Sequence, residues 1–431
     1  MKVLKSSHIN PFGGINFVID ELDQKGIHHI VNDFLPKLPN QSQYQWRDIL
    51  YSFWSIFFCG GDCAEDLSTN FKSSLSQSPF LKVPSPDRIL NRFKDITTPA
   101  EYFQTPRGKY DHHFAVNKTL TSLNLNILNK LFKLSKSKVD LDYDNTICYT
   151  KKQDAQRTYK KELGYIPGVA FVGSKVVYVE NRNGRSNAGI LQEETLQRMF
   201  SSLKAKNIKV NRFRADSASY TFKVINTIEK HCDKFYIKAR MSSALAKVIN
   251  SVEHWDTVGT GKSGVLRGET MYTPFERAAR DCDTKAELKP YRYIVTKEIR
   301  RDGQMSLFTN EACFYSVIIT NDLETNLNKV VYYYNQRGAI EKEFDVLKND
   351  FGWKKLPFSK LEQNLVYLQL TAICRNFYHY IINLFSKKFF GLQPNYRIKK
   401  FIFRFICIPA KWVKTARQFK LKIYGNIHFK T

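Results

Sequence analysis

Through the first 135 or so residues apolar side chains recur at helical spacing, whereas from about residue 137 they begin to alternate with polar ones. The first region therefore predicts helices and the second strands. One helix is expected near residues 44–58, ahead of the Gly60-Gly61 break. The next starts where Ser85 can cap, Pro86 suits the first helical position and Asp87 complements the helix dipole. It presents Arg88 and Arg92 on one face and turns Ile89, Leu90 and Phe93 toward a core. Residues 96–120, rich in Thr, Pro and charge, read as a linker. Val139, Leu141 and Tyr143 then alternate with Asp140, Asp142 and Asp144, so a strand here carries three carboxylates on one face. Ile166–Phe171 and Lys175–Glu180 form two further strands around a Gly173-Ser174 turn. A helix over roughly 190–205 leads to a strand at Ile208–Ala215 that ends on Asp216. Another helix, about 219–231, precedes a strand at Phe235–Arg240. Residues 334–348 read as a single helix, with Arg337, Glu341 and Lys348 on one face and Ile340, Phe344 and Leu347 on an adjoining apolar stripe.

Three strands, a helix, a strand, a helix, a strand and, after a long excursion, a helix is the order of an RNase H-like fold. Such an α/β architecture, a mixed sheet flanked by helices, brings the ends of its first and fourth strands together. The excursion between Phe235 and Tyr332 is too long for a loop, and it holds strand-like runs at Tyr291–Thr296 and Phe314–Ile319.

Composition adds a partner. The chain has 431 residues, 43% of them hydrophobic, enough to bury a large core divided into two or three domains. Its formal charge of +27 predicts a polyanion, with nucleic acid the first candidate. After Glu362 no acidic residue occurs, while 13 Lys and Arg do, interleaved with Phe389, Phe390, Tyr396, Phe401, Phe403, Phe405 and Trp412. These aromatics either pack a small helical domain or stack on bases. Beside a DNA partner, the helices at 44–58 and 86–93 become a helix-turn-helix-like reader of DNA ends, although a surface helix with two arginines fits the same pattern. No apolar run approaches the roughly 20 residues of a spanning helix, and no signal-peptide pattern opens the chain, so a cytoplasmic, nucleoid-associated protein is expected. The eight cysteines are scattered, and Cys59 and Cys63 lack two further ligands at zinc spacing, so they read as reduced, mostly buried thiols. The expected segments are a helical DNA-end-binding domain at 1–135, the first part of the core at 136–240, a β-rich insertion at 241–330, the helix completing the core at 331–360 and a basic helical region at 361–431.

The candidate chemistry lies in the acids. Asp144 ends the first strand, Asp216 ends the fourth and Glu341 sits on the late helix, so three carboxylates distant in sequence can meet at one sheet edge. They repel one another unless cations join them. Hard oxygen ligands suit Mg²⁺ or Mn²⁺, and two ions about 3.5–4 Å apart would serve phosphodiester cleavage and strand transfer. Asp142 lies on the same strand face and remains the alternative to Asp144. Glu343 and Asp345 read as solvated or paired with Lys342, and Asn187 as a cap or a DNA contact. No Ser/His/Asp arrangement competes, and Gly259-Thr-Gly-Lys-Ser-Gly264 lacks P-loop spacing.

With these residues in place the chain resembles the DDE transposases of bacterial insertion sequences. It matches the group with a Y-x2-R-x3-E-x6-K signature, which Tyr334, Arg337, Glu341 and Lys348 satisfy without a gap. Asp144-Asn-Thr146 and Arg214-Ala-Asp216-Ser217 look like that group's first and second acid motifs, so the resemblance covers most of residues 137–360. It implies that Asp144, Asp216 and Glu341 bind the metals and that Tyr334, Arg337 and Lys348 hold the transposon end near the cut. The family places a Thr two residues after its first acid, which favours Asp144 over Asp142. It also implies a β-rich insertion that handles a flipped base and a hairpin end, with Trp255 as a wedge or stacking residue unless it serves as insertion core. The implied activity is binding of terminal inverted repeats in double-stranded DNA, cleavage, and joining of 3′ ends to a target by a dimer in the synaptic complex. Two other readings stand beside it: an RNase H-like structure-specific nuclease without strand transfer, and a non-catalytic DNA-binding protein derived from a transposase.

Overall fold

The structure, a computed structural model, describes residues 8–104, 108, 110–258, 264–280, 288–300, 302–305 and 311–425. Residues 259–263 of the Gly-rich stretch therefore lie outside the described residues.

An eleven-stranded sheet organises the chain. Its strands are β1 Glu101–Gln104, β2 Asp111–Ala115, β3 Val139–Asn145, β4 Gly168–Val172, β5 Lys175–Arg182, β6 Val210–Ala215, β7 Cys232–Lys238, β8 Asp256–Thr257, β9 Val265–Tyr272, β10 Tyr291–Ile299 and β11 Cys313–Thr320. In space they run β1-β2-β5-β4-β3-β6-β7-β11-β10-β9-β8. β3, β4 and β5 form an antiparallel meander, and β6 and β7 join parallel to β3. β4 is buried throughout, which explains its unbroken apolar run. β11, β10 and β9 continue the same sheet in antiparallel fashion beyond β7.

Two apolar layers sandwich the sheet. The helices α1 Trp46–Phe58, α2 Pro86–Lys94 and α3 Lys118–Phe132 come early in the chain, α4 Gln192–Lys204 links β5 to β6, and α5 Phe222–Glu229 links β6 to β7. Three more follow the sheet: α6 Leu327–Asn335, α7 Ala339–Asp350 and α8 Leu361–Lys388. On one face α1, α2, α3, α7 and α8 share a core with Val169, Phe171, Val176 and Val179. On the other, α4 and α5 pack with Leu141, Tyr143, Ala170, Val177, Phe213 and Ile237. α2 starts as its sequence dictates, with the Ser85 hydroxyl accepting from the Arg88 amide at 3.3 Å and Pro86 at the first helical position.

α8 is apolar on almost every side because it is buried on almost every side. Two of its buried polar residues, Gln369 and Asn376, have a specific task. β5 pairs with β2 only at Asn181 and Arg182, which leaves edge groups earlier in β5 to be satisfied. Asn376 accepts from the Val176 amide at 2.9 Å and donates to its carbonyl at 2.8 Å, and Gln369 donates to the Val179 carbonyl at 3.2 Å.

Three expectations differ. The 96–120 stretch holds β1, β2 and the start of α3, because its β-branched and aromatic residues complete a sheet edge. The helix expected over 334–348 is broken by a 3₁₀ turn at Gln336–Gly338. The basic end of the chain is not helical throughout: after α8 it closes in a two-stranded ribbon, Ala410–Thr415 with Gln418–Ile423, whose period-two pattern charge had obscured. No helix among the described residues is long and apolar enough to cross a membrane, and the seven described cysteines are free thiols.

Candidate active site

The register between β3 and β6 builds the site. Asp140 lies opposite Arg212 and Asp142 opposite Arg214. Arg212 donates to Asp140 at 2.9 Å, and Arg214 grips both oxygens of Asp142, one at 2.7 Å. The pairing ends there; beyond it Asp144 near the end of β3 and Asp216 just past β6 lie close enough for the Asp216 charge to act on Asp144, an acid where the two preceding pairs have an arginine. Like charges close together are destabilising, so the ends of these two central strands hold an electrostatic excess. Asp142 is buried with both oxygens taken by Arg214, which leaves Asp144 as the β3 acid with capacity to spare.

Asp144 shows that excess. Its carboxyl is raised to about 6, chiefly by burial and also by the Asp216 and Glu341 charges, against the opposing pull of the Arg337 guanidinium. Arg337 ion-pairs with it at 2.8 Å, the two side chains being 17% and 20% exposed. Asp216 accepts from the Ala218 amide at 3.0 Å and so caps the short 3₁₀ turn that follows β6.

The chain after β11 is fastened to this strand end before it delivers Glu341. Arg212 and Arg214 stack on the Tyr333 ring at 4.0 and 4.3 Å, and Arg214 donates to the Tyr333 carbonyl. The Tyr334 hydroxyl donates to the Ala215 carbonyl, next to Asp216, at 3.3 Å. Tyr334, expected at the DNA, is thus buried and ties α6 to β6. The 3₁₀ turn carries Arg337, and α7 then exposes Glu341 in its first turn, where the helix dipole favours an acid. Ile340, Phe344 and Leu347 are buried beneath, with Phe344 edge-on to Phe171 at 5.4 Å. Lys348 lies two turns on, half-buried, its pKa lowered by burial and, against the opposing pull of Cys148 and Asp345, by the Lys354 charge. Glu343 pairs with Arg375 and Asp345 with Arg397, both at 2.8 Å, so neither takes Lys342.

The remaining expected residues lie elsewhere. Arg88 is exposed on α2, and Arg92 on the same helix pairs with Asp95 at 2.7 Å. Trp255 is partly buried against the sheet core, with Lys297 over its ring at 5.7 Å. Asn187 accepts from the Gly189 amide in a local turn. One residue near the acids escaped the sequence reading. Tyr159 is 66% exposed, and after burial and Tyr149 the charges of Asp144 and Asp216 raise its pKa. It tips a hairpin of strands 156–157 and 163–165, which pairs with Cys148–Tyr149 just past β3. The signal available was the basic, aromatic run Arg157-Thr-Tyr-Lys-Lys161 following the first acid.

Asp144 and the two acids whose charges reach it, Asp216 and Glu341, offer only oxygen donors, the kind that fit a hard divalent cation. Their ligand atoms are not gathered as closely as those of Asp62, Cys63 and Asp66, which lie within 4.8 Å of one another. That second cluster is structural: Asp66 accepts from the amides of Asp62 and Cys63 at 2.9 and 3.2 Å, and Asp62 pairs with Lys355 at 2.8 Å.

The family model for transposase DDE domain group 1 matches residues 13–430. No curated protein matches the chain. Similar solved structures include a piggyBac transposase synaptic complex with hairpin DNA, 13% identical over 91% of this chain and 78% of that one, TM-score 0.44. A Mos1 transposase paired-end complex with the left transposon end is 14% identical over 46% and 58%, TM-score 0.18. A Mos1 strand transfer complex is 11% identical over 57% and 81%, also with a TM-score of 0.18.

Proposed function

The chain belongs to the transposase DDE domain group 1 family, and from that premise we propose that it binds the terminal inverted repeats of its own element, cleaves the DNA and joins the 3′ ends to a target. The observation that carries the site assignment is that the β3–β6 register neutralises Asp140 and Asp142 with arginine, while Asp144 lies beyond it within reach of the Asp216 and Glu341 charges. The strand order β5-β4-β3-β6-β7, with β6 and β7 parallel to β3, supports reading the core as RNase H-like. Asp144, Asp216 and Glu341 are the residues that would hold Mg²⁺ or Mn²⁺. Bound there, the ions would activate the attacking oxygen and stabilise the leaving one.

The protein's own groups do the positioning. Tyr334 and Tyr333 fix α6 to the end of β6, so Glu341 enters at the acid pair through a short turn. Arg337 shields Asp144 and, as a planar fork beside the acids, is suited to hold a DNA phosphate. Lys348 lies on the same helix as a second phosphate contact. The excess of 67 Lys and Arg over 40 Asp and Glu supplies long-range attraction for DNA. Concerted joining of two ends calls for a dimer in the synaptic complex. Pre-cleaved element ends offered with a supercoiled target and Mg²⁺ test the joining step. Covalent end-to-target products are expected, and hydrolysis alone would favour a nuclease without strand transfer.

A further inference from the structure

We propose that the ribbon Ala410–Thr415/Gln418–Ile423 is a phosphate-gripping arm for duplex DNA, separate from the acid site; the proposal rests on the DNA-joining reading above and adds a surface to it. The ribbon is two-faced. Ala410 pairs with Ile423, Trp412 with Leu421 and Lys414 with Phe419, and this face turns Trp412 and Phe419 onto Phe80, with ring centroids 5.4 and 6.0 Å away. The alternate pairs, Lys411 with Lys422 and Val413 with Lys420, form the opposite face.

Three observations on that opposite face point to a polyanion. First, Lys411 and Lys422 are directly opposed, a like-charge pair that weakens a free two-stranded ribbon, and Lys420 is their diagonal neighbour. Second, among the described residues none of Lys411, Arg417, Lys420 and Lys422 pairs with a carboxylate, whereas Arg397, just before the ribbon, is held by Asp345 and Asp350. Third, the turn places Ala416 and Arg417 at φ 47° and 66°, the left-handed region that Asn and Gly fill at little cost in two-residue hairpins. Keeping Arg417 there sacrifices turn stability and projects an exposed guanidinium from the ribbon tip. A two-stranded ribbon has the width of a DNA major groove, but flexible ammonium groups without amide or carboxylate neighbours contact phosphates rather than base edges. The arm is therefore indifferent to sequence.

The test uses the full-length protein and a short labelled duplex of unrelated sequence, with affinity measured across a salt series. For the triple variant Lys411→Gln, Lys420→Gln, Lys422→Gln, the slope of log K against log salt should fall by about 0.9 for each phosphate left without its lysine, hence by about 2 to 3. Arg417→Gly is the second variant: it relieves the turn and removes the charge, so it should melt no lower than the parent and yet bind the duplex more weakly. An unchanged slope in the triple variant, with the parent binding normally, overturns the arm and leaves the joining reading intact. A parent protein that binds no duplex at all overturns both.

Discussion

Asp142 and Asp144 stand two residues apart on one strand face, yet they are assigned opposite tasks by the strand beside them. Asp142→Ala strands Arg214 in a buried site and should cost about 3–5 kcal/mol. Asp144→Ala removes a carboxylate whose charged form burial and the Asp216 and Glu341 charges disfavour, so its cost should stay within about 1 kcal/mol. Denaturant midpoints of the two variants check this contrast, and equal destabilisation would contradict it. The alternating acids of β3 and the Arg-x-Arg-x-Asp of β6 are both plain in the sequence. What made Asp144 distinct was which residue lies across from which, a register fixed by two strands some seventy positions apart. The signature Tyr334 was visible too, but a buried hydroxyl on the Ala215 carbonyl has no local trace, since the tyrosine pattern is the same for packing and for DNA contact.

The α6–turn–α7 element carries its own expectation. Gly338 sits at φ −54° and ψ −18°, with nothing within 4 Å of a Cβ built there. Gly338→Ala should therefore stabilise the protein by about 0.4–1 kcal/mol through the unfolded chain and leave DNA cleavage unchanged; a melting temperature below the parent's would show that the turn needs glycine's freedom. α8 predicts a pH dependence. Burial, then the charges of Arg375 and Lys175, lowers His379 from 6.5 to about 4. The unfolded chain takes up this proton first, so stability is full above about pH 6.5, drains as pH falls toward 4 and is level below. His379→Leu should lessen that acid-side loss by about 2–3 kcal/mol, measured as thermal shifts at pH 7 and pH 4.5. α8 lies within the segment expected to be basic and helical, but no local pattern gives the partners of Gln369 and Asn376, which are edge groups of β5 distant in sequence. The order of core strands and helices was legible because apolar periodicity is local, whereas the ribbon at the end of the chain was lost under its charge.

At the scale of the molecule, the early helices close over the late one. Trp54 donates to the Leu370 carbonyl at 3.0 Å, and Phe53, Phe57 and Phe58 share a core with Leu365, Tyr367 and Phe377. A fragment of residues 1–135 should therefore show no cooperative thermal transition alone, and a chain ending at residue 360 should fail to fold, both read by circular dichroism melts. Segment boundaries drawn from composition shifts could not show this, because the packing that joins residues 46–58 to 361–385 spans most of the sequence. The same closure fixes the central strands whose ends carry Asp144 and Asp216, so the proposed site depends on the whole fold. It is tested most directly by cleavage of a labelled duplex bearing the element's own end, with Mg²⁺ or Mn²⁺, by the parent protein and by Asp142→Asn, Asp144→Asn, Asp216→Asn and Glu341→Gln. With the acids in these roles, the Asp144, Asp216 and Glu341 variants bind the end and do not cut it, while Asp142→Asn, though less stable, still cuts. Cleavage that survives Glu341→Gln, or that is lost only with Asp142, would contradict those roles.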